Sequence, residues 1–173
     1  LWSLGRYQAA ADESFKLIME YYGVLGITPK DVMGRNAQAL FRLLKPGPNL
    51  TDDLKHLADS LDLRAVSLTS LGDIPRLERI HAVKFYQLAN APDSLVRVAQ
   101  DVVDDFVERR DFSGAREMIE TNILPNIAEL KMVGRVIPVR SQYAVVLAYC
   151  GDFDAADAEM ARLAPYETGL DEK

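Results

Sequence analysis

Apolar residues recur every three or four positions along most of this chain, which is the spacing of an α-helix with one buried face. In residues 8–22 the apolar residues that share one face are Phe15, Ile18, Met19 and Tyr22. In residues 93–109 they are Leu95, Val98, Val102 and Phe106. The strict alternation and hairpin turns that are typical of strands are missing. The pattern therefore predicts an all-α fold.

Glycine, proline and capping residues divide the predicted helices. Gly23 and Gly26 end the first helix, Thr28 caps the second, and the run 45–49 is the strongest break in the chain. Pro125 is expected either to kink or to split the helix that contains it. Helices are predicted at residues 8–22, 28–44, 52–61, 75–89, 93–109, 113–130, 136–150 and 154–164, with residues 62–74 unassigned.

One short phrase occurs three times, at residues 5–10, 110–115 and 151–156. Each copy places an aromatic residue three positions before an alanine, after a short polar or glycine-containing turn. The second and third aromatic residues, Phe112 and Phe153, are 41 residues apart. A recurring helix–turn–helix phrase indicates a helical-repeat protein.

The two C-terminal phrases resemble tetratricopeptide (TPR) repeats. The matching residues are Gly151, Phe153, Ala156 and Met160 in one copy, and Phe112, Ala115 and Ile119 in the other. Arg110 replaces the glycine in the second copy, and the first copy, with Gly5, Tyr7 and Ala10, departs at Ser14. In such repeats the alanine permits close helix crossing, the aromatic residue fills the gap beside it, and glycine permits a left-handed helix end.

This resemblance implies antiparallel helix pairs stacked as a TPR-like right-handed superhelix, an α-solenoid, forming one domain over residues 1–173. The clearest repeats cover residues 95–130 and 136–165, and the N-terminal repeat is truncated. The spacing is longer than the family's usual value of about 34 residues. It is similar to the long-repeat superhelices of large bacterial transcription activators and signalling ATPases. Residues 45–92 match poorly, and a non-repetitive helical bundle is the alternative.

The resemblance also implies that the first helix of each repeat lines a concave, partner-binding surface. The residues placed on that surface are Arg97, Gln100, Asp104, Ser141 and Val145. A protein or peptide partner would contact them, with Arg97 and Gln100 meeting a carboxylate or backbone group. The alternative is an ordinary solvated polar face.

Charge and composition narrow the classes of function. A formal net charge of −6 and a sequence pI of about 5.0 argue against nucleic-acid binding, which needs a basic face. The single cysteine, Cys150, excludes an internal disulfide and a multi-cysteine metal site. No apolar run reaches the about 18 residues of a membrane span. A cytoplasmic protein is expected, and the missing initiator methionine predicts a piece of a larger chain.

Candidate catalytic or metal-binding groups are few. Asp101, Asp104, Asp105 and Glu108 form an acidic stripe at helical spacing, which predicts a solvated face because arginines flank it. His56 and His81 are the only histidines. No nucleophile motif or phosphate-binding loop occurs. We therefore predict no enzyme activity, no cofactor and no metal.

These features together predict a non-catalytic interaction module that binds a protein or peptide on its concave surface. The alternative is a regulatory or sensor segment of a larger bacterial signalling or transcription protein that binds a small effector. A closed apolar cavity near Tyr143, Tyr149 and Phe106 would favour that alternative. Leu1 and Trp2 are large apolar residues at an end repeat, so self-association through the Trp2 end is a further prediction.

Overall fold

The computed structural model describes residues 2–129 and 133–164 of the chain. Within these ranges every regular element is a helix and no strand occurs, which confirms the predicted all-α fold. The helices are α1 (Trp2–Leu25), α2 (Pro29–Val32), α3 (Ala37–Phe41), α4 (Leu50–Ser70), α5 (Arg76–Leu88), α6 (Pro92–Glu108), α7 (Phe112–Met118), α8 (Leu124–Glu129), α9 (Val133–Tyr149) and α10 (Phe153–Ala161). The chain divides into two compact units, unit 1 (Leu1–Val98) and unit 2 (Ala99–Lys173).

In unit 1, helix α4 packs against both α1 and α5. Helical spacing brings Ile18 and Tyr22 of α1, Leu57 and Leu61 of α4, and Phe85 of α5 into buried positions. The rings of Tyr22 and Phe85 lie 6.2 Å apart, centroid to centroid, so α1 and α5 also meet through their side chains.

Helix α1 runs without interruption through the first predicted turn at residues 5–6. The left-handed conformation that ends many helices is absent at Gly5, and the alanines at residues 9–11 favour continued helix. The prediction of a helix junction at residues 5–10 is therefore wrong.

Two short helices, α2 and α3, replace the single helix predicted for residues 28–44. Thr28 caps α2 as predicted, through a capping box. Gly34 then adopts a φ of 74°, and Asn36 caps α3 with its side-chain oxygen. Glycine adopts this conformation without the steric clash that a Cβ would introduce, which explains why the chain breaks here.

Besides Gly34 after α2, five residues with positive φ lie just beyond the end of a described helix, and these are Gly26, Gly72, Asn90, Arg110 and Gly151. In each case the next N–H donates to the carbonyl five positions earlier, as from Asp111 to Phe106 at 2.8 Å and from Asp152 to Leu147 at 3.0 Å. This Schellman geometry satisfies carbonyls that the helix end would leave unpaired. The predicted turns before Phe112 and Phe153 are confirmed.

In unit 2, helix α9 packs against α7 and α10, and the alanine of each C-terminal phrase is buried as predicted. Ala115 is fully buried and Ala156 is nearly so. The aromatic residues differ. Phe112 is half-buried beneath Tyr149, whereas Phe153 is 66% exposed. The prediction that this aromatic residue fills an interhelical gap is wrong for Phe153, because no described residue stacks on it as Tyr149 stacks on Phe112.

Pro125 is accommodated by a π-helical turn, Ile119–Ile123, that joins α7 to α8. Proline has no N–H, and its ring clashes with the carbonyl four residues earlier in an α-helix. Widening the preceding turn separates these groups, so the predicted kink or split is replaced by a local π-bulge.

Candidate functional site

An open apolar groove lies on unit 1 between α1 and α5, with α4 beneath it, and has a volume of about 210 Å³. Its floor is buried and consists of Ile18, Tyr22, Leu61 and His81. On α1 the buried floor residues are interspersed at helical spacing with exposed residues of the rim, so one side of this helix forms both the floor and the rim of the groove.

The rim of the groove exposes four large apolar side chains, Phe15, Met19, Met33 and Leu77. Between 44% and 58% of each of these residues is accessible to solvent. A single exposed apolar residue is ordinary, but several around one depression indicate a surface that binds another apolar group.

Arg64 of α4 fixes the geometry of one wall. Its Nη1 donates to the backbone carbonyl of Ala11 at 2.7 Å, and its Nε donates to the Glu78 carboxylate at 3.4 Å. The guanidinium carbon also lies 5.0 Å from the ring centroid of Phe15, which is a cation–π contact. Arg64 therefore links α4 to both α1 and α5.

Burial governs the ionisation of the groove floor. Burial, with a smaller contribution from Lys84, lowers the pKa of His81 to about 4, although Glu78 opposes the change. Burial and the nearby Glu78 raise the pKa of Tyr22 to about 12. Both floor residues are thus uncharged near neutral pH, which keeps the floor compatible with an apolar ligand.

The predicted partner-binding residues on α6 form bonds within their own units. Arg97 pairs with Asp62 in unit 1. In unit 2, Arg135 Nη1 donates to Gln100 Oε1 at 3.2 Å, and Gln142 Nε2 donates to Asp104 Oδ1 at 2.7 Å. These three side chains therefore have protein partners in the unbound chain.

The other two predicted contact residues lie on α9. Ser141 is half-buried and Val145 is exposed. Gln142 brings α9 to Asp104, so the structure places Asp104 near the α9 segment that carries Ser141. The Trp2 side chain lies outside the described residues, and self-association through it stays a prediction.

The acidic stripe and the two histidines are the candidate metal-binding groups of the sequence. No group of three or more His, Cys, Asp or Glu residues among those the structure describes could hold a metal ion. The ring of His56 stacks on Tyr21, 5.8 Å between centroids, whereas His81 lies in the groove floor near Glu78. The two histidines thus have different surroundings.

The small-effector alternative predicts a closed cavity near Tyr149 and Phe106. The structure has a depression beside Phe112 and Tyr149, lined also by Val107, Glu108 and Arg110. It opens to solvent, since both Tyr149 and Arg110 are exposed.

Sequence reasoning missed the groove. It placed Phe15 and Met19 on the same buried face as Ile18 and Tyr22, but only the latter pair is buried. The available signal was the width of the apolar face on α1, which is broader than one packing partner covers.

No protein-family model, curated protein or solved structure matches this chain. In the described part of the chain, no helix combines the length and apolar character needed to cross a bilayer.

Proposed function

We propose that this chain is a non-catalytic interaction module, built of stacked TPR-like helix pairs, whose unit 1 groove binds a short apolar segment of a partner protein. The observation that supports this function is the rim of four exposed apolar residues around a buried floor. A partner side chain seated there would remove Phe15, Met19, Met33 and Leu77 from water, and this burial supplies the driving force.

The size of the groove favours a peptide side chain over a whole effector molecule. Its volume of about 210 Å³ is below the roughly 300–1,000 Å³ that is typical of small-molecule sites. One or two apolar side chains fit such a volume. The flanking peptide would then lie against the exposed rim, which a small effector would leave uncovered.

The groove walls also carry polar groups that can orient a peptide. Glu78 and Arg64 pair with each other at the edge, and each side chain keeps about a quarter of its surface exposed. A backbone N–H could donate to Glu78, while the remaining Arg64 hydrogens could donate to a carbonyl. The predicted contacts at Gln100 and Asp104 would instead require a partner to displace existing hydrogen bonds, so the groove is the better-supported site.

The test is selection of binding peptides from a random-sequence display library, followed by titration of the winning peptides against variants. Leu77→Glu places a charge on the rim. Leu63→Glu is the matched control, because Leu63 of α4 is exposed to a similar extent but does not line the groove. We expect peptides with an apolar anchor to bind the wild type and Leu63→Glu, and to lose at least about tenfold in affinity with Leu77→Glu.

Two results would contradict this function. One is a failure to select any peptide that binds the folded chain saturably. The other is a set of peptides whose affinity is the same for Leu77→Glu and for the wild type, since they would then bind elsewhere.

A further inference from the structure

Helix α9 and the turn that follows it cover one stripe of α7 and the π turn through three specific contacts. The rings of Tyr149 and Phe112 stack with centroids 4.3 Å apart and planes 4° apart. Arg116 Nη1 lies 3.2 Å from the Asp152 carboxylate, and the Tyr143 hydroxyl donates to Glu120 at 2.5 Å. Because Tyr149 meets the start of α7 and Tyr143 meets the following turn, α9 lies antiparallel to α7.

Among residues 2–129 and 133–164, none covers the corresponding stripe on α10 in this way. Aligning the two phrases on Phe112 and Phe153 makes Phe153, Asp157 and Ala161 the equivalents of Phe112, Arg116 and Glu120. All three α10 residues are exposed, whereas Phe112 and Arg116 are half-buried. The neighbouring position shows the same contrast, since Ile119 is fully buried whereas its equivalent, Met160, is 49% exposed.

We propose that the α10 stripe, Phe153, Asp157 and Ala161, binds an amphipathic helix of a partner protein. That helix lies antiparallel to α10, as α9 lies on α7. It presents an aromatic ring to Phe153 at its C-terminal end and, three residues later in the turn that follows the helix, a lysine or arginine to Asp157, as Tyr149 and Asp152 are placed on α7. The sign of the partner's charge follows from this alignment. Arg116 pairs with the acidic Asp152, whereas its equivalent on α10 is the acidic Asp157, so the partner must carry a basic residue where Asp152 stands.

The same charge argues against a second copy of the chain as the occupant. In a symmetric pairing of two α10 helices, the stripes would meet face to face, and the two Asp157 carboxylates would come into the same interface. Like charges so placed disfavour association. A basic, aromatic helix removes this repulsion and covers Phe153 and Met160 at once.

The probe is a synthetic peptide that copies residues 139–152, with Asp152→Lys, and with Cys150→Ser to prevent oxidation. A lactam bridge between positions 144 and 148 holds it helical, since helical spacing puts these positions away from the surface that carries Tyr143 and Tyr149. The control peptide keeps Asp152. Both are titrated into the full chain and followed by NMR chemical shifts and calorimetry.

We expect saturable binding of the Asp152→Lys peptide, weakened about tenfold by Phe153→Ala, which removes the stacked ring. The wild-type chain should bind the Asp152→Lys peptide about threefold more tightly than the control peptide, and the Asp157→Lys chain should bind it about threefold more weakly than the control peptide. Asp154→Lys is the matched charge control, because its equivalent Ser113 remains exposed beside α9. Neither it nor Leu77→Glu should change the affinity, which separates this surface from the groove.

Three outcomes would overturn the proposal. The bridged peptide could show no saturable binding up to about 1 mM. Its binding could be insensitive to Phe153→Ala. Finally, the chain could fail to bind the peptide while sedimentation shows a dimer that Phe153→Ala dissociates. The occupant of the stripe would then be a second copy of the chain.

Discussion

Substituting Gly114 with alanine tests the close approach of α6 and α7. A Cβ at Gly114 would lie 2.7 Å from Cδ1 of Phe106, and closer still to Cε1 of the same ring. Carbon atoms in van der Waals contact are about 3.5–4.0 Å apart, so the ring or the helix must move. Phe106 is buried, which leaves its ring little room to turn away.

The magnitude follows from two opposing terms. Alanine stabilises a helix relative to glycine by about 0.5–1 kcal/mol, and less in a first turn such as this one. Inserting a carbon atom into a filled core destabilises by about 1–3 kcal/mol. Gly114→Ala should therefore lower the free energy of unfolding by about 1–2 kcal/mol, because the overpacking term is the larger.

The assay is urea denaturation followed by circular dichroism, with hydrogen exchange to localise the change to α6 and α7. Gly23→Ala in α1 is the matched control, since no heavy atom lies within 4 Å of its added Cβ. That variant should gain up to about 1 kcal/mol. The same substitution is thus expected to have opposite signs at the two sites.

A Gly114→Ala protein as stable as the wild type would refute this reasoning. A second check uses Phe106→Leu, which removes part of the ring that the new methyl group would meet. In that background Gly114→Ala should be less destabilising than in the wild type, and a purely additive double-mutant cycle would show that the two residues do not interact.

Three further predictions concern stability. The pKa of His81 in the folded chain is about 4, below its ordinary value of 6.5, so the unfolded chain takes up this proton first as the pH falls. The free energy of unfolding should therefore fall by up to about 3 kcal/mol between pH 6.5 and 4. Urea titrations at several pH values should show a flatter slope for His81→Gln. Arg110 and Gly151 both have positive φ, which glycine adopts without strain. Arg110→Gly should therefore raise the free energy of unfolding by about 1 kcal/mol and Gly151→Ala should lower it by about as much, which melting temperatures would show. Ala156→Leu should destabilise by about 1–3 kcal/mol through overpacking, and an unchanged melting temperature would contradict the buried position of Ala156.

Local signals in the sequence were sufficient for the all-α character and for the two C-terminal turns, but not for the turn predicted at residues 5–6 or for the break within residues 28–44. The apolar spacing of residues 93–109 identified a buried face, and Leu95, Val98, Val102 and Phe106 are all buried. The turns at 110–111 and 151–152 were also predictable, because a polar or glycine residue followed by an aspartate at the N-cap position determines them within a few residues.

Features that depend on neighbouring helices were not predictable in the same way. A periodic pattern identifies the apolar side of α1, but it does not say how much of that side another helix covers. Ile18 and Tyr22 are covered, while Phe15 and Met19 remain at the groove rim. The groove is thus a consequence of how far α4 and α5 extend across α1, and this extent is a tertiary property.

The two C-terminal phrases show how one local sequence can have two roles. Phe112 and Phe153 follow the same turn and begin a helix at the same register, yet among the described residues a ring stacks on Phe112 and none stacks on Phe153. The difference cannot come from the phrase itself, which is alike in both places. It comes from the segment that follows, because α9 carries Tyr149, and the turn after α9 carries Asp152, to meet α7. An exposed Phe153 is therefore best understood as half of a contact whose other half is a helix of matching pattern, and the charge at Asp157 specifies which pattern that must be.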